Sequence, residues 1–179
     1  VINTTLAKRY AKALVEIGVD NKALDQYGQD LAAITELVET SKDFRELLIS
    51  PVFTKEDKKR IGGAVLQKLG TAPMVRNFIN LLIDRKRIDQ LIGIETAFRE
   101  EVDEIRGITR GEVTSAVKLG DDELGRVTQA LSTISGKQVV LTAKVDPSLI
   151  GGLVAKVGDM VFDGTIRTQL NQLKESLRG

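Results

Sequence analysis

Cysteine and histidine are both absent from this chain of 179 residues. Their absence excludes disulfides, thiolate chemistry and zinc sites of the usual Cys/His type. It also excludes a Ser-His-Asp or Cys-His nucleophile pair. Tryptophan is missing as well and aromatics are 4% of the residues, so platforms for stacking nucleic-acid bases would be hard to build. Neither sign of charge dominates: 26 Lys+Arg face 25 Asp+Glu, for a formal net charge of +1. No global field therefore draws the chain onto nucleic acid or anionic lipid. No stretch approaches the roughly 20 apolar residues that cross a bilayer. The opening Val1-Ile2-Asn3-Thr4-Thr5 has neither the basic nor the apolar part of a secretory signal. What remains is 42% hydrophobic and 28% charged, the composition of a globular protein with one ordinary domain or two small ones. These exclusions argue against an enzyme, and no cofactor or metal is expected. The lack of cysteine fits a cytoplasmic protein.

Over the first hundred or so residues the apolar pattern is helical. Leu6, Tyr10, Ala13, Leu14 and Ile17 form one stripe, with Thr4 or Thr5 as cap and Gly18 as the expected stop. Leu24, Tyr27, Leu31, Ile34 and Val38 form a second stripe. Ser41 can cap a short third helix carrying Phe44, Leu47 and Leu48, stopped at Ser50-Pro51. Thr54-Lys55-Glu56-Asp57 resembles a capping box and opens a fourth helix, with Ile61, Val65 and Leu69 expected inward and Gly70 at its end. Pro73 suits the first turn of a fifth helix carrying Val75, Phe78, Ile79 and Leu82. A sixth helix from about Asp89 is expected to bury Leu91, Ile94, Phe98, Val102 and Ile105.

After Arg106 the period drops from 3.6 to 2, across a break bracketed by Gly107 and Gly111. Val113, Ser115, Val117 and Leu119 alternate with polar neighbours as a half-buried strand. A helix capped at Asp121 or Asp122 follows, with Leu124, Val127, Leu131 and Ile134 inward and Gly136 as its stop. Val139, Leu141, Ala143 and Val145 make a second strand, and Asp146-Pro147 a turn. Leu153 to Val157 and Met160 to Phe162 read as strands joined across Gly158-Asp159, the residue order of a type II′ hairpin. A final helix from Thr165 carries Ile166, Leu170, Leu173 and Leu177. The expected fold class is α+β: a six-helix bundle over 1–106 and a small α+β domain over 107–179.

Candidate sites are few. Ile150-Gly151-Gly152 lacks the spacing of a phosphate loop and precedes a strand, so it reads as a turn. The basic residues of 55–60 interleave with Glu56 and Asp57 as a solvated face, and so do the acids Glu100, Glu101, Asp103 and Glu104. Arg85-Lys86-Arg87 either complements a helix dipole or meets an acidic partner. Tyr10 lies among Ala7, Ala11 and Ala13, which leaves either a groove for another helix or ordinary core packing. Arg167, Lys174 and Arg178 give the final helix a basic side suited to a charged partner.

The segment from Asp146-Pro147-Ser148-Leu149-Ile150-Gly151-Gly152 to Gly158-Asp159-Met160-Val161-Phe162-Asp163-Gly164-Thr165-Ile166-Arg167 resembles the signature of the ATP synthase delta subunit family. That family includes the mitochondrial oligomycin-sensitivity-conferring protein. Ala7-Lys8-Arg9-Tyr10-Ala11-Lys12-Ala13-Leu14 resembles the family's opening, and the similarity runs the whole length.

The resemblance implies a non-catalytic peripheral-stalk subunit of the rotary ATP synthase, peripheral on the cytoplasmic face of the bacterial inner membrane and not inserted in it. It implies a helical domain that binds the N-terminal helix of an alpha subunit in the catalytic head. The groove would lie between the first and fifth helices, with Ala7, Tyr10, Ala11, Ala13 and Leu14 facing Asn77, Phe78 and Leu81. The C-terminal domain would bind the b-subunit stalk, with Arg167, Lys174 and Arg178 offered to it. Two other classes compete, an RNA-binding or ribosome-associated helical module and a small nucleotide-handling enzyme built on Gly151-Gly152.

Overall fold

The computed structural model describes residues 4–168, 170 and 174. Two compact units divide the chain, Val1–Val102 and Asp103–Gly179. The first holds α1 (Thr4–Asp20), α2 (Leu24–Thr40), α3 (Lys42–Ile49), α4 (Lys55–Lys68) and α5 (Pro73–Asp84), then a 3-10 turn (Ile88–Gln90) and α6 (Leu91–Ile105), whose last residues pass into the second unit.

Local chemistry sets several of the helix ends. Ser41 Oγ accepts the Phe44 N–H at 3.3 Å and starts α3. At the start of α4 the Thr54 hydroxyl accepts the Asp57 N–H at 3.1 Å and donates to the Asp57 carboxylate at 2.7 Å. That bond, with Arg60 behind it, holds the Asp57 carboxyl below its ordinary pKa. The α3 helix ends before Pro51, and Gly70, at φ +73°, turns the chain out of α4.

Four expectations for this unit need correction. The inner face of α1 is Ala7, Ala11, Leu14, Val15 and Gly18, one step round from the stripe of Leu6, Tyr10, Ala13 and Ile17. Gly18 does not stop α1; it lies buried inside it, and a Cβ there would sit 2.9 Å from Leu24 Cδ2. The buried residues of α4 are Gly62 and Leu66, because a glycine lets that face approach Leu48, while Ile61 and Leu69 stay exposed. The sixth helix begins at Leu91 after the 3-10 turn, and Ile105 at its end is exposed.

The second unit holds β1 (Ile108–Ser115), α7 (Asp121–Ser135), β2 (Gln138–Val145), β3 (Leu153–Val157) and β4 (Met160–Asp163), followed by a terminal helix. The sheet order is β2-β1-β3-β4. The α7 helix carries the chain between the parallel pair β1 and β2, while β1–β3 and β3–β4 are antiparallel. Val113, Val139, Ala155 and Val157 meet Leu131 of α7 in the core. The β3–β4 hairpin closes with Val157 opposite Met160, Gly158 at φ +57° and Asp159 at negative φ, as the type II′ reading requires.

Here too the structure departs from the pattern. Gly111 lies inside β1, opposite Val157 and Leu141, where a Cβ would come 2.7 Å from the Lys156 carbonyl oxygen. β1 ends at Ser115, whose hydroxyl donates to the Val117 carbonyl at 2.6 Å, and Val117 is exposed. The cap of α7 is Gly120, whose N–H donates to the Glu123 carboxylate at 3.0 Å, in place of Asp121 or Asp122. Ile134 is exposed at the far end of α7. On the edge strand β2 only Val139 is fully buried, and Ala143 and Val145 face solvent.

Candidate partner-binding groove

With one hundred degrees per residue, α1 carries two adjacent stripes. The inner stripe is made small by Ala7, Ala11 and Gly18, which lets α1 sit close to its neighbours. The next stripe, Leu6, Tyr10, Ala13 and Ile17, is left beside α5. The Tyr10 ring meets Phe78 of α5 edge to face, centroids 6.2 Å apart and planes at 71°. Between the helices runs a groove of about 620 Å³. Its apolar walls are that stripe with Leu14 from α1, and Phe78 and Leu81 from α5; Arg9, Arg85 and Arg87 also line it. Leu81 is 41% exposed and Ile17 37%, so apolar surface faces solvent here.

The structure brings Tyr10, Ala13, Leu14, Phe78 and Leu81 together as the motif implies. It does not bring Ala7, Ala11 or Asn77 to the groove. Ala7 and Ala11 are 1% and 0% exposed in the core, and Asn77 is exposed without lining the groove. Sequence reasoning placed Leu6 and Ile17 on the stripe of Tyr10 but did not name them, or Arg9, Arg85 and Arg87, among the groove residues. The signal for the first two was present: a stripe containing two alanines and a glycine beside a stripe of larger residues marks the small one as the close-packed face.

The position of α5 depends on a residue far away in sequence. Its cap residue Ala72 has no capping side chain of its own. Asp30 of α2, 6% exposed, accepts the Ala72 N–H at 2.7 Å, and its other oxygen accepts from Gln26 Nε2 at 2.8 Å. One carboxyl thus ties the first turn of α5 to α2.

In the second unit the long C-terminal motif forms a turn and a cap. Gly152 has φ +83°, and a methyl group there would overlap the Gly164 carbonyl oxygen and lie 2.8 Å from Thr165 Cα. The Ile166 N–H donates to the Gly151 carbonyl at 3.2 Å and the Gly164 N–H to that of Leu153 at 2.9 Å. Asp163 accepts from the Thr165 N–H at 2.9 Å and from the Thr168 hydroxyl at 2.8 Å. The Thr165 hydroxyl accepts the Thr168 N–H at 3.3 Å, which starts the terminal helix. Ile166 and Leu170 of that helix are exposed, not packed away on the sheet. Arg167 and Lys174 are also exposed. Leu173, Leu177 and Arg178 lie outside the described residues.

The hydrogen bond from the Thr165 N–H, followed by those of Thr168 and Thr165, holds the Asp163 carboxyl below its ordinary pKa. A lowered folded pKa gives stability that is full above the unfolded carboxylate value of about 3.9 and is lost as pH falls through the folded value. Asp163→Asn should therefore be less stable than the parent by a constant margin at neutral pH, and the margin should shrink in acid. Chemical denaturation of both proteins between neutral pH and pH ~3 checks this; a margin independent of pH in acid would contradict it.

Among the described residues no group of three or more acidic side chains could hold a metal ion, and no helix is long and apolar enough to cross a membrane. The family model of the ATP synthase delta (OSCP) subunit matches residues 6–177. The ATP synthase subunit delta of Desulfosudis oleivorans is 40% identical over 176 residues, 98% of this chain and 96% of the relative. That of Geobacter metallireducens is 40% identical over 178 residues, 99% of each. A chain in the cryo-EM structure of the Toxoplasma gondii mitochondrial ATP synthase hexamer shares the fold at a TM-score of 0.70 and 21% identity, over 97% of this chain and 98% of that one. None of these matches favours an RNA-binding module. On the matched length and the identity to these relatives, the chain belongs to the ATP synthase delta (OSCP) subunit family.

Proposed function

We propose that the α1/α5 groove holds the N-terminal helix of an alpha subunit, and that the C-terminal unit holds the end of the b-subunit stalk. The chain is a peripheral-stalk subunit of the ATP synthase, and in this reading it performs no chemistry. It joins the catalytic head to the stalk on the cytoplasmic face of the bacterial inner membrane, so that the head resists the torque of the rotor. The observation that carries the reading is the groove itself, a solvent-facing trough between two helices with an aromatic pair in its apolar wall. A helix-in-groove contact needs that shape, with anchors spaced by helical turns on the incoming helix. Two contacts on one chain suit a part under load, because each contact raises the effective concentration of the other.

Tyr10→Ala should weaken binding of an alpha-subunit N-terminal peptide by about 1–3 kcal/mol, as for a buried aromatic anchor. Tyr10 also packs against the core, so the melting temperature is measured beside the affinity. Leu81→Asp is the companion variant: Leu81 is half exposed, so it should leave the fold intact and still abolish peptide binding. A Leu81→Asp protein that binds the peptide like the parent would remove the groove from the reading.

For the stalk contact, Lys174→Glu should slow recruitment of the soluble part of the b subunit, less so in high salt, and leave capture of the head unchanged. A pulldown with both partners reads the two contacts together. Loss of head capture with normal stalk capture in this variant would reverse the assignment.

A further inference from the structure

We infer that Arg9, Arg85 and Arg87 make the groove selective for a helix whose flanks carry carboxylates, so that its occupant is an acidic amphipathic helix. The inference rests on the reading that the groove takes a helix and goes on to name that helix's chemistry.

Three guanidinium groups and no carboxylate line the groove. Asp84, the residue before Arg85, is already engaged. Its carboxylate pairs with Lys59 at 2.5 Å, and its carbonyl accepts from Lys55 Nζ at 2.8 Å. Among the described residues none of the three arginines has a carboxylate partner.

The turn after α5 separates the basic triplet. The Lys86 N–H donates to the Ile83 carbonyl at 3.1 Å and the Arg87 N–H to that of Leu82 at 2.8 Å, with Lys86 at φ +55°. As a result Arg85 and Arg87 both line the groove, while Lys86 lines a separate cleft beside Lys55 and Lys58. Complementing the α5 dipole would need only positive charge near the last turn. It does not account for two guanidinium groups brought to one groove, with the third cation placed elsewhere. Guanidinium forks pair with carboxylates in two-pronged geometry, and a helix with basic flanks would meet like charge on both sides.

The test uses the full chain and synthetic amphipathic helices with one common apolar stripe and flanks of Glu, Gln or Lys. The N-terminal peptide of the alpha subunit from the same organism is a fourth probe, and fluorescence anisotropy gives the affinities. At low ionic strength the Glu-flanked helix should bind about tenfold or more tighter than the Lys-flanked one, with the gap closing in high salt. Replacing Arg9, Arg85 and Arg87 together by Gln should bring the Glu-flanked helix down to the level of the Gln-flanked one and leave the latter unchanged. Lys86→Gly should preserve the preference, since Lys86 does not reach the groove. Equal binding of the Glu- and Lys-flanked helices, or a preference that survives the triple substitution, overturns the inference while the groove reading stands. Failure of the alpha-subunit peptide alone removes that peptide as the occupant and leaves the acidic preference intact. Failure of every probe overturns both.

Discussion

Gly152→Ala should unfold the C-terminal unit while the helical unit keeps its structure. At φ +83° an alanine is strained by about 1–2 kcal/mol from its own backbone. Its methyl group would also overlap a backbone carbonyl, that of Gly164, which cannot swing away as a side-chain end does. That carbonyl belongs to the segment where Gly164 bonds Leu153 and Thr165 starts the terminal helix, so relief of the clash pulls on the cap. A total cost of about 3 kcal/mol or more is expected. A single unit of this size has roughly 3–5 kcal/mol to lose. Circular dichroism and amide NMR should show strand resonances lost and helix retained. Binding of the alpha-subunit peptide should survive, and recruitment of the b stalk should not. Gly125→Ala is the matched control, the same change in the middle of α7 with nothing within 4 Å of the new methyl, and it should stabilise by about 1 kcal/mol. A Gly152→Ala protein as stable as the parent would show that the turn tolerates a side chain.

Asp30→Ala should cost the helical unit about 3 kcal/mol. The substitution removes a buried acceptor and leaves the Ala72 N–H at the start of α5 without a partner. An unsatisfied buried donor costs about 1–3 kcal/mol, and a hydrogen bond to an acidic side chain is worth about as much. The melting temperature should fall by roughly 12–24 °C, at 4–8 °C per kcal/mol for a domain of this size. Asp30→Asn keeps an oxygen for the Ala72 N–H and should lose much less. The α5 helix is one wall of the groove, so affinity for the alpha-subunit peptide should fall in the alanine variant and recover in the asparagine variant. An alanine variant that melts within about 2 °C of the parent would mean that water or another group caps α5.

Part of the groove was legible in the sequence. The spacing of Tyr10 and Ala13 placed them on one helical stripe, and the family motif placed that stripe beside Phe78 and Leu81. The error over Ala7 and Ala11 has a definite cause. Periodicity finds which residues share a face, yet a helix with two apolar stripes does not say which one is buried. The choice went to the stripe of Ala7, Ala11 and Gly18, because small side chains let α1 pack closely, and the bulkier neighbours were left as the groove wall. The same reason displaced the α4 stripe from Ile61 to Gly62. Glycines misled in one direction only. Gly70, Gly136 and Gly158 punctuate the chain at positive φ as read, whereas Gly18 and Gly111 are there for space and sit inside regular elements.

What the sequence by itself determined is local: helix and strand periods, the Ser41 and Thr54 caps, the Pro73 start, the hairpin at Gly158-Asp159, and a signature long enough to mark the family. All but the signature depend on residues within a few positions of one another, where spacing alone fixes the geometry. The tertiary structure decided what depends on residues far apart. Asp30 caps a helix that begins 43 residues later, Gly152 faces Gly164 across a turn, and Arg9 joins Arg85 and Arg87 on one groove. No local period encodes such meetings, because they are set by which faces pack and how closely, and that depends on the volume of every side chain between them.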